Sequence, residues 1–166
     1  MFEGPIKPPS SKTQLQTARC CLIDSYADVE SAMISLQQRL ELPSDKTTLG
    51  QRIDALGKIK ASPAIPKALI SRLRTYHARL ALLNELRCDV VHSRMGVAPI
   101  AGEMCAYFIN SREAGAEFVS ARLLTLDQMI ALASELRRLA QSLSMLVMPS
   151  QAALPQRPSP GATAGP

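Results

Sequence analysis

Leu83-Asn84-Glu85-Leu86-Arg87-Cys88-Asp89-Val90-Val91-His92-Ser93 closes a run of apolar residues that recur at steps of four and three: Leu69, Leu73, Tyr76, Leu80 and Leu83. That spacing keeps one face of a helix inward, so a core helix is expected from about residue 67 to the end of this stretch. The next step of four lands on Arg87. A guanidinium on a buried stripe is costly unless it is paired or does chemistry. His92 follows, and histidine is the side chain best matched to proton transfer near neutral pH. Five residues turn an ideal helix by about 500°, so Arg87 and His92 point roughly 140° apart. They converge only if the helix ends or kinks between them, or if two copies of the chain face each other. The β-branched pair Val90-Val91, then Gly96 and Pro99, favour a helix that ends near here.

Upstream, Leu15, Ala18, Leu22, Tyr26, Val29, Met33, Leu36 and Leu40 repeat at three and four and predict a first helix over about 11–41, with Pro43 just past its end. A shorter second helix starts after Thr47-Thr48 and carries Leu49, Ile53, Leu56 and Ile59. Ser62-Pro63 and Ile65-Pro66 break the chain, and Pro66 suits the first turn of the third helix. Downstream the period changes. Met104–Asn110 and Glu117–Leu123 are rich in aromatic and β-branched residues and flank Ser111–Ala116, which contains a glycine. A β-hairpin over about 104–124 is expected. Tyr107, Phe108 and Phe118 are expected to pack on the helices or, as the alternative, to offer a surface for RNA bases or a second subunit. Thr125 and Gln128 form a capping-box arrangement ahead of a last helix with the stripe Met129, Ala133, Leu136, Ala140, Leu143 and Val147. The fold class is therefore mainly all-α: a four-helix bundle with a small β-hairpin inserted before the last helix. Residues 1–10 hold three prolines and a glycine and read as a flexible arm. Residues 149–166, five of them proline, read as a disordered tail. The helical domain is 11–148.

The chain has 166 residues, 46% of them hydrophobic, which is enough for one core. No run of 18 apolar residues is present, and the first residues lack the apolar segment of a signal peptide, so a cytoplasmic protein away from membranes is expected. Cys20, Cys21, Cys88 and Cys105 match no zinc-site spacing and read as reduced thiols; no metal and no cofactor are expected. The net charge is +5. Lys58, Lys60, Lys67, Arg72, Arg74, Arg79, Arg87 and Arg94 concentrate it in the segment that carries the Arg/His pair, where only Glu85 and Asp89 are acidic. Such a segment suits a polyanion, or is simply a solvated helix face. His77 reads as a boundary residue.

Leu86-Arg87-Cys88-Asp89-Val90-Val91-His92-Ser93 resembles the Leu-Arg-Asn-Asp-Val-Val-His-Ser form of the motif found near the end of a central helix in the HEPN superfamily (higher eukaryotes and prokaryotes nucleotide-binding domains). Thr48-Leu49-Gly50-Gln51 resembles the start of the helix that often precedes it. The resemblance implies a HEPN-like bundle over about 11–148. It also implies, as in many members, a metal-independent endoribonuclease that works as a homodimer with both motifs at the interface. Several members are toxins held by an antitoxin protein; others are inactive and serve as binding modules. The position after the arginine is typically polar, often asparagine, and Cys88 departs from that.

On the first reading RNA is cleaved by its own 2′-OH, which needs a base, an acid and positive charge on the phosphate. His92 serves as base or acid and its mate in a second subunit takes the other role. Arg87 holds the phosphate through a bidentate contact. Asn84, Cys88, Asp89, Ser93 and Arg94 are supporting or substrate-binding candidates. Asn84, one turn before Arg87, is placed to orient Arg87 or the phosphate. Asp89 either supplies the polar function that Cys88 lacks or pairs with Arg87 or Arg94. On the second reading the chain is a non-catalytic module that dimerises or binds a protein or nucleotide. Arg87 then sits in a structural ion pair with Glu85, Asp89 or a partner carboxylate, and Cys88, as a poor hydrogen-bond partner, favours this. A third reading, a DNA-binding regulator, lacks a convincing helix-turn-helix spacing.

Overall fold

The computed structural model describes residues 10–42, 45–62, 65–109 and 121–147. The expected arm over 1–10 (apart from the buried Ser10), the Pro-rich tail and Phe118 lie outside them. In chain order the elements are helix α1 (Lys12–Arg39), helix α2 (Leu49–Gly57), helix α3 (Lys67–His92), strand β1 (Arg94–Ile100), strand β2 (Glu103–Ile109), strand β3 (Ala121–Thr125) and helix α4 (Leu126–Val147). The architecture is mainly helical, four helices and a small antiparallel sheet of order β1-β2-β3. No helix among the described residues is long and apolar enough to cross a membrane.

Three of the four helices begin where a side chain caps them, and α3 begins at a proline with no side-chain cap. Ser11 and Gln14 at α1, and Thr48 and Gln51 at α2, form capping boxes that satisfy the first free N–H groups. The Gln128 N–H donates to Thr125 Oγ1 at 3.2 Å, and the Thr125 N–H donates to Gln128 Oε1 at 2.9 Å, so one residue both ends β3 and starts α4. Pro66 stands at the N-cap position of α3 with φ −61°, one residue earlier than the first turn expected for it.

The α1 stripe is buried from Leu15 to Leu36, with Leu40 half-buried at its end. Met129, Ala133, Leu136, Ala140 and Leu143 of α4 are buried as expected. The two helices run parallel, since Ala18 lines a groove with Ala133 and Ala32 lines one with Ala140. α3 runs antiparallel to α1: the Tyr26 hydroxyl donates to the Leu83 carbonyl at 2.7 Å, while Arg19 reaches Val90. α2 lies antiparallel along α3, with Gly50 against Asn84 and Gly57 against the His77 ring. A Cβ on Gly57 would stand 2.6 Å from His77 Nε2, so the glycine permits that approach and His77 is a packing residue at the α2–α3 boundary. The buried residues of α3 are Ile70, Leu73, Leu80, Leu83, Leu86 and Val90. From Leu83 the stripe steps three to Leu86 and four to Val90, which leaves Arg87 at its border, half-buried, instead of on it. Arg79 forms an ion pair with Glu135 of α4, its Nη2 donating to Oε2 at 2.7 Å. The hydrogen bond from Arg79 holds the Glu135 carboxyl below its ordinary range.

The expected hairpin is part of a larger sheet. β2 and β3 pair antiparallel with Tyr107 opposite Leu123, and the connection between them falls outside the described residues. β1 is an additional strand, paired with β2 so that Gly96 faces Tyr107 and Val97 faces Ala106. Its sequence hides it, because Gly96 and Pro99 read as breakers; both are tolerated in an edge strand. Tyr107 does not pack on the helices as expected: it lies on the opposite face of β2 from Phe108, and its ring covers Gly96, where a Cβ would stand 2.0 Å from Cζ. Phe108, Ala106 and Leu124 face the helices and are buried, whereas Ile109 and Leu123 on the other side are exposed.

The β1–β2 turn places Ala101 at φ 50° and Gly102 at φ 83°. A two-residue turn with two positive φ values suits the twist of a hairpin, but Ala in the left-handed region costs about 1 kcal/mol. Ala101→Asn is expected to raise stability by about 0.5–1 kcal/mol, read as a higher urea midpoint at unchanged slope. An equal or lower midpoint would contradict this turn.

Candidate functional site

α3 continues as a helix through His92 and stops at Ser93, whose N–H still donates to the Asp89 carbonyl at 3.1 Å and whose own backbone is extended. Arg87 and His92 therefore sit on one uninterrupted helix, about 140° and about 7.5 Å apart along it. Arg87 is half-buried and His92 is exposed. A single copy of the chain does not bring them together.

Among the described residues, no carboxylate, carbonyl or hydroxyl takes a hydrogen bond or ion pair from Arg87. The motif carboxylate of Asp89 pairs elsewhere: Arg122 of β3 donates from Nε to Asp89 Oδ2 at 2.6 Å. Asp89 thus pairs with neither Arg87 nor Arg94, the two partners expected from sequence. The Arg87 charge is nevertheless felt inside the fold. Burial pushes the Tyr26 phenol above its ordinary value, and the guanidiniums of Arg87 and Arg122 pull against that shift.

The other expected residues spread around the end of α3. Asn84 packs on Gly50 of α2, and its Oδ1 is buried with no hydrogen-bond partner among the described residues. Cys88 is half-buried. It is free of any disulfide, as are the exposed Cys20, the half-buried Cys21 and the buried Cys105. Ser93 is buried with its Oγ unpartnered, and Arg94 is exposed at the start of β1. Among the described residues no three His, Cys, Asp or Glu side chains stand close enough to hold a metal ion.

Arg19, which sequence reasoning left out, holds this end of the helix in place. Its Nε donates to the Val90 carbonyl and its Nη2 to the Ser93 carbonyl, both at 3.0 Å. Its guanidinium lies 5.8 Å from the centre of the Phe108 ring. A cation on the free carbonyls of a helix C-terminus is favourable, and here it ties α1, α3 and β2 around the residues that flank His92. Arg19→Ala is expected to cost about 2 kcal/mol of stability, since two charge-assisted hydrogen bonds are lost. A urea midpoint within error of wild type would show that these bonds hold nothing. Arg122 was also missed, although period-two alternation puts it on the same face as Leu124, an inward place for a charge.

Compared with known proteins, the chain matches no family model, no curated protein and no solved structure.

Proposed function

We propose that this chain is a HEPN-type helical domain that cleaves RNA without a metal ion, with Arg87 on the scissile phosphate, His92 moving a proton, and a second copy completing the site. The observation that carries the proposal is the state of Arg87: a half-buried guanidinium with no hydrogen bond or ion pair among the described residues. Such a cation stays costly until an anion reaches it, and a phosphodiester fits its planar fork. The divergence of Arg87 and His92 on one helix supports a homodimer, because His92 of one copy cannot share a phosphate with its own Arg87. Attack by the 2′-OH requires only proton transfer and charge stabilisation, which a histidine and an arginine supply. The role of a cytoplasmic toxin, with an antitoxin protein as partner, is the biological setting that the motif suggests.

Cys88, where a polar residue is usual, favours the second reading, a module that dimerises or binds a protein or nucleotide without cutting RNA. Product chemistry separates the two. Incubated with single-stranded RNA in EDTA, the protein is expected to leave 2′,3′-cyclic phosphate ends and to spare DNA of the same sequence, which has no 2′-OH. Ends bearing a 3′-OH, or cleavage of the DNA, would rule out this chemistry; an intact RNA would leave the binding module.

A further inference from the structure

The basic segment of the sequence falls largely on α3, and the fold sorts its charges. Arg79 pairs with Glu135, whereas Lys67, Arg72 and Arg74 make no hydrogen bond or ion pair among the described residues. Lys67 and Arg74, both exposed, line one open cavity of about 640 Å³ with Ala61, Ile70, Ser71 and Thr75. Among the described residues no carboxylate lines it. The neighbouring cavity mixes Lys46, Lys58 and Lys60 with Asp45 and Asp54, so its charges largely offset. Arg74 and His92 lie about five whole turns apart on α3, so they point the same way at a separation of about 27 Å. Lys67, about two turns earlier, lies within about 20° of the same line. Between Arg74 and His92 that line carries Ala78 and the half-buried Glu85. Arg72, also exposed, leaves the helix about 160° away from Arg74.

We propose that Lys67 and Arg74 form a docking surface for the phosphate backbone of single-stranded RNA, reached only by a strand long enough to span the roughly 27 Å to His92. This rests on the reading in which the chain acts on RNA. The cavity offers two cations and two hydroxyls with no opposing carboxylate, which suits phosphodiesters without selecting a base. A strand that reaches His92 and runs back along α3 meets Arg74 on the same side of the helix. Glu85 repels phosphate, so the strand is held at the two ends of this line and stands off its middle.

A merely solvated helix face makes a different prediction, and Arg72 supplies the control of equal charge. Binding of labelled 2′-O-methyl oligouridylate, which has no free 2′-OH to react, is measured against salt for the wild type, Lys67→Gln, Arg74→Gln and Arg72→Gln, each checked for native circular dichroism. For an oligonucleotide that spans the distance, Lys67→Gln and Arg74→Gln are each expected to weaken binding about tenfold. Each is also expected to flatten the slope of log K against log salt by about 0.7, one phosphate contact on a single strand. Arg72→Gln is expected to change the affinity by less than about twofold, and a dinucleotide is expected to bind all four proteins alike. In cleavage of a long RNA, Arg74→Gln is expected to raise KM with kcat unchanged. If Arg72→Gln weakens binding as much as Arg74→Gln, only net charge is at work and the inference falls. If Arg74→Gln binds RNA like wild type but no longer binds labelled poly-glutamate, the surface serves an acidic protein and the inference falls. If Lys67→Gln and Arg74→Gln bind and cut long RNA like wild type while His92→Ala does not cut, the docking surface fails and the chemistry at His92 stands. If Arg74→Gln loses the RNA but the wild type cuts none, the surface stands and the cleavage reading fails.

Discussion

His92→Ala is expected to lower the rate of RNA cleavage by about 10²–10⁴-fold while the protein stays folded, the range lost when a positioned acid or base is removed. The structure explains why folding is spared. His92 is the last residue of α3, it is exposed, and no hydrogen bond or ion pair of the described chain depends on it. The end of the helix is held by Arg19 through the carbonyls of Val90 and Ser93, which alanine at position 92 leaves intact. A single-turnover assay in EDTA, with circular dichroism on the same samples, checks both halves of the statement. A variant that cleaves at the wild-type rate would remove His92 from the chemistry; one that loses its helical signal would show that the residue is structural.

Phe108→Ala is expected to cost about 3–5 kcal/mol, the range for truncating a fully buried phenylalanine. Phe108 is 1% exposed, among the largest fully buried side chains, and its ring also faces the Arg19 guanidinium. Against the roughly 5–15 kcal/mol of a typical domain, that loss is severe. The reason for choosing it is architectural: it lies on β2, so its cost measures whether the sheet belongs to the helical core. Tyr107→Ala, on the outer face of the same strand, serves as the contrast and is expected to cost well under half as much. Urea unfolding of the three proteins gives the answer, and a Phe108→Ala midpoint close to wild type would mean that the sheet packs only loosely on the helices.

The helices are legible in sequence because each carries its own stripe and three of the four a side-chain cap, with Pro66 marking the start of α3. Leu15 to Leu36, Thr48 with Gln51, and Thr125 with Gln128 all act within a few residues, where spacing is informative. β1 is hidden because a twisted turn at Ala101-Gly102 and an edge position excuse the residues that usually mark a loop. Arg87 was placed on the buried stripe by extending a step of four, whereas the helix takes a step of three at Leu86 and leaves Arg87 at the border. The motif itself could be read along the chain; its surroundings could not. Arg19 reaches Val90 across 71 residues and Arg122 reaches Asp89 across 33, and no local pattern announces contacts made by the tertiary fold.

Arg87, with no hydrogen-bond or ion-pair partner among the described residues, is central to the proposed chemistry, and one variant tests it in two readouts. Arg87→Gln removes a charge that the described chain does not neutralise, so the thermal midpoint is expected to stay level or rise, since an uncompensated half-buried cation no longer has to be kept. RNA cleavage by the same protein is expected to fall about 10²–10³-fold, as when an electrostatic stabiliser of the reacting group is deleted. A lower midpoint with cleavage intact would contradict the account and make Arg87 a structural residue.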